Sequence, residues 1–167
     1  MADIHWANAV SGSFTNPSDW TGGDVPGIHD VAVLDAAGGP YTVTSSAYQS
    51  VGGLDLASNA TLSITNEFFV IGTSSNAGTI LVDSPYLIAF TREVDNSGAI
   101  QCSGGEIEFD GEVRNSATGV ITANGAAILF DGDVFGGALQ SLAGGGLTFS
   151  GRRWWEWELG RRPRSPG

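Results

Sequence analysis

The sequence predicts an all-β fold: a right-handed parallel β-helix, or β-solenoid, with rungs of about twenty residues and an N-terminal capping segment. Two motifs recur at that interval. The motif Asn-x-Gly-x-Ile begins at Asn76, at Asn96 and, in stretched form, at Asn115. An apolar-x-Phe motif ends at Phe90, Phe109, Phe130 and Phe149, with Phe69 as a weaker forerunner. Apolar residues alternate over only a few positions in each repeat, which indicates short strands with one buried face and not helices.

Each repeat has room for three short strands. One contains the apolar-x-Phe motif, a second is predicted at valines that follow the phenylalanine, and a third begins at the isoleucine of the other motif. The second and third strands are marked by Val94, Val113 and Val134, and by Ile80, Ile100 and Ile121. Equivalent positions of successive coils stack about 4.8 Å apart, so like residues form columns. We expect a buried phenylalanine column, a corner column of asparagines bonded to one another and to turn backbone, and an inert Cys102 buried level with Val82 and Ala123.

The beginning of the chain predicts a cap on the solenoid. Residues 1–35 are assigned to this N-terminal cap and the first strands, and residues 36–151 to the solenoid rungs. The end of a stack of coils exposes unpaired backbone, so a different terminal unit is expected there. Trp6, Phe14 and Trp20 are the side chains expected to cover that end.

Residues 152–167 form an atypical tail. The repeat requires an apolar residue near position 153, and the chain instead has a run rich in arginine, proline and tryptophan. One interpretation is a disordered or frameshifted end that contributes little to the fold. The other is a tryptophan-rich plug that covers the last coil. In neither case is the tail interpreted as a nucleic-acid motif.

Composition narrows the classes of function. The net charge is −11 and there is no lysine, so the main body of the chain is expected to repel nucleic acid and anionic membrane. Cys102 is the single cysteine, which excludes an intrachain disulfide and a CxxC motif. No stretch is apolar enough for a membrane span, and the first ten residues do not form a signal peptide. Export would therefore use a signal that is not visible in this chain.

A pattern near the N-terminus resembles a known class of proteins. It consists of Trp6, Gly12-Ser13-Phe14, Asn16-Pro17-Ser18-Asp19-Trp20, Val25-Pro26-Gly27 and the strand-like run 30–35. It resembles the opening of large repetitive bacterial exoproteins, namely autotransporter passengers and filamentous-haemagglutinin-type adhesins, over roughly residues 4 to 151. The resemblance implies a right-handed parallel β-helix at the cell surface or in the medium. It implies no catalytic residues.

Carboxylates at repeated positions are the candidate site. Glu93, Glu112 and Asp133 share one offset from the phenylalanine column, and Asp110 and Asp131 share another. Like charges about 5 Å apart repel, so such columns require a cation such as calcium, an arginine, or protonation. The alternative is an acidic, solvated bend that keeps the solenoid soluble. Glu106 and Glu108 add an outward acidic stripe.

The function predicted from these features is a structural or adhesive solenoid segment without catalysis. Its partners would be host or surface glycans or proteins, or further copies joined through the solenoid ends. Two alternatives stay open: a calcium-binding secreted module, and a carbohydrate-active β-helix enzyme that uses Asp110 and Asp131. His5 and His29 lie outside the repeats and have no ligand spacing or catalytic motif around them.

Overall fold

The fold is a parallel β-helix of about six turns, which confirms the predicted fold class. This computed structural model describes residues 1–150. The predictions made for residues 152–167 therefore lie outside the described residues. Two short 3₁₀ turns, Pro17–Asp19 and Thr21–Gly23, are the helical elements of the described chain. No helix in residues 1–150 combines the length and apolarity that a membrane crossing requires.

The strands form three parallel faces. Face 1 is a seven-stranded sheet made of β1 Ala2–His5, β3 Asp30–Leu34, β6 Gly53–Leu56, β9 Ser74–Asn76, β11 Val94–Asn96, β13 Val113–Asn115 and β16 Val134–Phe135. Face 2 contains β2 Gly12–Ser13, β4 Tyr41–Ser45, β7 Ala60–Ile64, β14 Val120–Asn124 and β17 Ala138–Leu142. Face 3 contains β5 Gln49–Val51, β8 Phe68–Val70, β15 Ala127–Phe130 and β18 Gly146–Phe149. The long strands β10 Thr79–Phe90 and β12 Ala99–Phe109 run through both faces 2 and 3.

The register of these strands confirms the predicted columns. Ile80 pairs with Ile100 and Ile100 with Ile121 on face 2, and Val94 pairs with Val113 and Val113 with Val134 on face 1. Cys102 lies between Val82 and Ala123, as expected, and is fully buried. The repeats read from the sequence are therefore the coils of the structure.

The phenylalanine column forms the core beneath face 3. The rings of Phe90 and Phe109 are stacked with centroids 5.2 Å apart, those of Phe109 and Phe130 also at 5.2 Å, and those of Phe130 and Phe149 at 4.9 Å. Phe90, Phe109 and Phe130 have no exposed surface. Burial of each such ring contributes about 1.5–3 kcal/mol before the entropic cost of ordering.

The assignment of Phe69 to this column was wrong. Phe90 pairs with Val70, and Phe68 pairs with Ile88, so Phe69 faces outward. There its ring lies 6.0 Å from that of Tyr48, centroid to centroid. Coil lengths vary by one or two residues, and a shift of one residue moves a strand side chain to the opposite face. Spacing alone therefore could not choose among positions 68, 69 and 70.

The asparagine column forms the predicted corner ladder. Asn76 donates from Nδ2 to Oδ1 of Asn96 at 2.7 Å, and Asn96 donates in the same way to Asn115 at 2.8 Å. Turn backbone completes the network, because the amide of Gly78 donates to Oδ1 of Asn76 at 3.1 Å. The glycine of the motif is required by packing: a Cβ at Gly98 would overlap the carbonyl oxygen of Gly78 on the preceding coil.

The three predicted aromatic residues cover the N-terminal end. Trp6, Phe14 and Trp20 are buried, and the ring of Trp20 packs edge-on at 5.0 Å from each of the other two. Phe14 also contacts Phe68 at 5.5 Å, which joins the cap to the core under face 3. The indole of Trp20 donates to the carbonyl of Phe14 at 2.7 Å, so its polar atom is satisfied.

Candidate functional site

The predicted carboxylates lie on the outer surface in two separate groups. The two groups flank the same corner of the coil, where the chain leaves face 3 and enters face 1. Glu93, Glu112 and Asp133 immediately precede the face 1 strands, and their carbonyls accept the amides of Ser74, Val94 and Val113 on the preceding coils at 2.8–3.0 Å. Asp110 and Asp131 directly follow the phenylalanines, and their own amides donate to Phe90 and Phe109 at 3.0 and 2.9 Å. The backbone ladder thus stacks each group coil upon coil.

Arg114 bridges the first group. Its Nη1 donates to Oε1 of Glu93 at 2.7 Å, and its Nε donates to Oε1 of Glu112 at 2.6 Å. The pKa of the Arg114 guanidinium is raised, first by its hydrogen bond to Glu112 and then by the charges of Glu112 and Glu93. An arginine was one of the three ways in which the repulsion within this column was expected to be relieved. Because these groups are solvent-exposed, the stabilisation is small and is screened by salt.

The second group gains a carboxylate that sequence reasoning left out of the site. Oxygen atoms of Glu108, Asp110 and Asp131 all lie within 4.8 Å of one another, and we call these three residues the acidic triad. Among residues 1–150 this is the single group of three or more His, Cys, Asp or Glu side chains so arranged. Glu108 occupies an outward position of β12, directly before Phe109. The alternation of residues in this strand predicts that Glu108 points outward. It does not predict that the long side chain turns toward Asp110 and Asp131.

Within the acidic triad, Glu108 is the residue whose carboxyl holds a proton more tightly than usual. The pKa of Glu108 is raised by partial burial of the carboxyl, by the negative charges of Asp110, Asp131 and Glu106, and by a hydrogen bond shared with Asp131. The hydroxyl of Ser150 donates to Oδ1 of Asp131. Three clustered carboxylates provide oxygen ligands of the kind that calcium prefers. The five residues predicted as calcium ligands are therefore divided. Asp110 and Asp131 belong to the triad, Glu93 and Glu112 bind Arg114, and Asp133 belongs to neither set within residues 1–150.

The histidines lie apart from both groups. Nδ1 of His5 is 3.0 Å from Oδ1 of Asp35, an exposed contact at the N-terminal end of face 1. Asp55 lies in the same region, and its pKa is raised by burial and by the charges of Asp3 and Asp35. Within the described chain neither His5 nor His29 belongs to a three-ligand group.

Comparison with known proteins identified no relative of this chain. No family model, no curated protein and no solved structure significantly matches this chain, and its resemblance to repetitive bacterial exoproteins stays a prediction.

Proposed function

We propose that this chain is a structural or adhesive β-solenoid segment of a bacterial surface or secreted protein, without catalysis. The observation that supports it is that the repeated polar residues form contacts between successive coils. The Asn76–Asn96–Asn115 ladder and the Glu93–Arg114–Glu112 bridge both connect one coil to the next. The most regular polar features of the sequence thus support a stiff stack of coils whose outer faces are available for contact.

An adhesion assay tests this proposal. Beads coated with the chain are applied to cultured epithelial cells and to bacterial cells, and are compared with beads coated with an Asn96→Pro variant that breaks the ladder. Attachment that requires the folded chain is the expected result. Equal attachment by both proteins would contradict adhesion, and concentration-dependent sedimentation would then test for self-association through the solenoid ends.

A polysaccharide-cleavage assay tests the absence of catalysis. The chain is incubated with polygalacturonate, xylan and chitin, and the release of reducing ends and of unsaturated products is measured. We expect no release above background. Cleavage that disappears in Asp110→Asn and Asp131→Asn variants would instead support the carbohydrate-active enzyme, because these two carboxylates lie side by side on successive coils.

The acidic triad supports a second candidate, a calcium-binding module. Glu108, Asp110 and Asp131 bring three carboxylates within 4.8 Å. A cation that binds only the folded chain raises the free energy of unfolding by RT ln(1 + [L]/Kd), about 2.7 kcal/mol at one hundred times Kd. Thermal melting in millimolar calcium, in magnesium and in chelator would show this effect, and it should disappear in the Asp131→Asn variant. Melting that calcium leaves unchanged would exclude this candidate.

A further inference from the structure

A shallow groove runs along the outer side of face 1, and no residue of the acidic triad lines it. Its volume is about 580 Å³, and we call it the face 1 groove; its lining includes Ser75, Asp95, Glu112, Arg114, Ser116 and Phe135. Ser75 pairs with Asp95, Asp95 with Arg114, and Arg114 with Phe135, so four of these residues occupy one outward column on successive coils. At about 4.8 Å per coil the column extends about 14 Å. That length fits a chain-like ligand better than a single small molecule.

Arg114 is a preorganised hydrogen-bond donor in this groove. Glu93 and Glu112 hold its guanidinium in one orientation, at 2.7 and 2.6 Å. A guanidinium has five N–H groups, and these two bonds occupy two of them. The other three make no hydrogen bond within residues 1–150, and 55% of the side chain is exposed. The guanidinium therefore presents fixed donors to the groove.

A hydrogen-bond acceptor, Asp95, and an aromatic ring, Phe135, lie on either side of Arg114. Asp95 is exposed, and within the described chain its carboxylate accepts no hydrogen bond, although its charge acts on Arg114. Phe135 is 37% exposed in the next coil, on the other side of Arg114. The groove thus combines charged acceptors, charged donors and an apolar ring within three coils.

We infer that the face 1 groove binds a neutral oligosaccharide, an inference that rests on the proposed adhesive function and names its ligand class. Sugar hydroxyls both donate and accept, so one sugar residue can bond to Asp95 and Arg114 together. The C–H face of the sugar ring packs against Phe135. Three carboxylates, Glu93, Asp95 and Glu112, surround the one guanidinium, and this excess of negative charge disfavours phosphorylated, sulfated or uronic ligands. A single exposed aromatic ring offers too little apolar area for a lipid.

Oligosaccharides matched in length and differing in charge test the inference. The full chain is titrated by calorimetry with cellohexaose, mannohexaose and chitohexaose, with hexagalacturonate as the anionic probe and the chitosan hexamer as the cationic probe. We expect at least one neutral hexamer to bind, and the affinity to fall about tenfold or more in Phe135→Ala and in Asp95→Asn, a factor that corresponds to one lost good contact. Phe135→Tyr retains the ring and should retain binding.

Matched variants separate binding from folding. Phe69→Ala removes a half-exposed aromatic ring from face 3, and Asp83→Asn removes an exposed carboxylate from β10. Both should bind like the unmodified chain, and all variants are first compared by melting temperature. The saccharide inference is overturned if no neutral hexamer binds, if Phe135→Ala and Asp95→Asn leave affinity unchanged, or if the chitosan hexamer alone binds, which would show a site for cations. If the Phe135→Ala variant still adheres to cells, the face 1 groove is not the adhesive site, but the proposed adhesive function is retained.

Discussion

Asn76 and Asn96 are joined side chain to side chain, Nδ2 to Oδ1, at 2.7 Å, although they are 20 residues apart in the sequence. Asn96 donates onward to Asn115 at 2.8 Å, and all three residues are at most 2% exposed. Each amide donates to the next coil, and those of Asn96 and Asn115 also accept from the coil before. This chain of bonds ties the turns of face 1 together through the corner of the solenoid.

The ladder predicts a large loss of stability when its central residue is removed. Asn96→Ala removes the acceptor of one of the Asn76 Nδ2 hydrogen bonds and the donor to Asn115 Oδ1, and each such loss costs about 1–3 kcal/mol. We expect the free energy of unfolding, measured by urea denaturation, to fall by about 2–6 kcal/mol in total. Asn8 is exposed, and Asn8→Ala is the control that should leave stability unchanged. Equal effects of the two substitutions would show that the ladder does not stabilise the fold.

The stacked core predicts a comparable loss at Phe109. This ring lies between Phe90 and Phe130 at 5.2 Å from each, so Phe109→Ala opens a cavity that the neighbouring coils cannot easily close. The expected cost is about 3–5 kcal/mol in urea denaturation. Phe69→Ala, which removes an outward ring of the same kind, should cost far less. The reverse order would contradict the register described for face 3.

Replacement of Ser74 by alanine is predicted to stabilise the fold. Its hydroxyl is buried without a hydrogen-bond partner in the described chain, and the residue pairs with Leu54 and Val94 in an otherwise apolar column. Ser74→Ala removes the unsatisfied group, so we expect a gain of about 1 kcal/mol in unfolding free energy. The adjacent Ser75 is exposed, and Ser75→Ala should have no such effect. A destabilised Ser74→Ala variant would show that the hydroxyl is satisfied in solution.

The acidic triad predicts a dependence of stability on pH. Because the pKa of Glu108 is higher in the folded chain than its ordinary value, the folded state binds a proton more tightly than the unfolded state. The stabilisation from this proton is complete below the ordinary glutamate pKa, and it is lost as the pH rises through the raised, folded-state value.

Glu108→Gln should therefore raise the melting temperature at pH 7 and have little effect at pH 4. The gain should be about 1 kcal/mol or less, since like charges in contact repel by about 1 kcal/mol in water. Glu67→Gln, directly before β8 of face 3 and outside the triad, is the control for the loss of one charge. A pH profile that Glu108→Gln leaves unaltered would contradict the crowding of these carboxylates.

The thiol of Cys102 is predicted to be unreactive in the folded chain. Burial raises its pKa to about 11, so the thiol stays protonated at neutral pH. Ellman's reagent at pH 8 should therefore react slowly with the native chain and rapidly and stoichiometrically in guanidinium chloride. Rapid reaction of the native chain would show that the coil around Cys102 opens readily.

Much of the architecture could be predicted from the sequence because a solenoid repeats its environment. A residue type that recurs at one offset identifies a column, and its parity within a short strand identifies the inward face. The phenylalanine stack, the asparagine ladder and the burial of Cys102 between Val82 and Ala123 were all predicted in this way. The cap was predicted for a related reason, since an exposed solenoid end requires large apolar side chains to cover it.

Two features could be determined only from the tertiary structure: which neighbours the long side chains contact, and the exact length of each coil. Phe69 lies outside the core because the coil before Phe90 is one residue shorter than the assumed spacing, and such a shift reverses the face of a strand. Arg114 spans Glu93 and Glu112, and Glu108 meets Asp110 and Asp131, because flexible side chains lean along or across the stack by distances comparable to the spacing between coils. Sequence periodicity determined which residues share a column, whereas contacts between neighbouring columns depended on side-chain direction, which no repeat encodes.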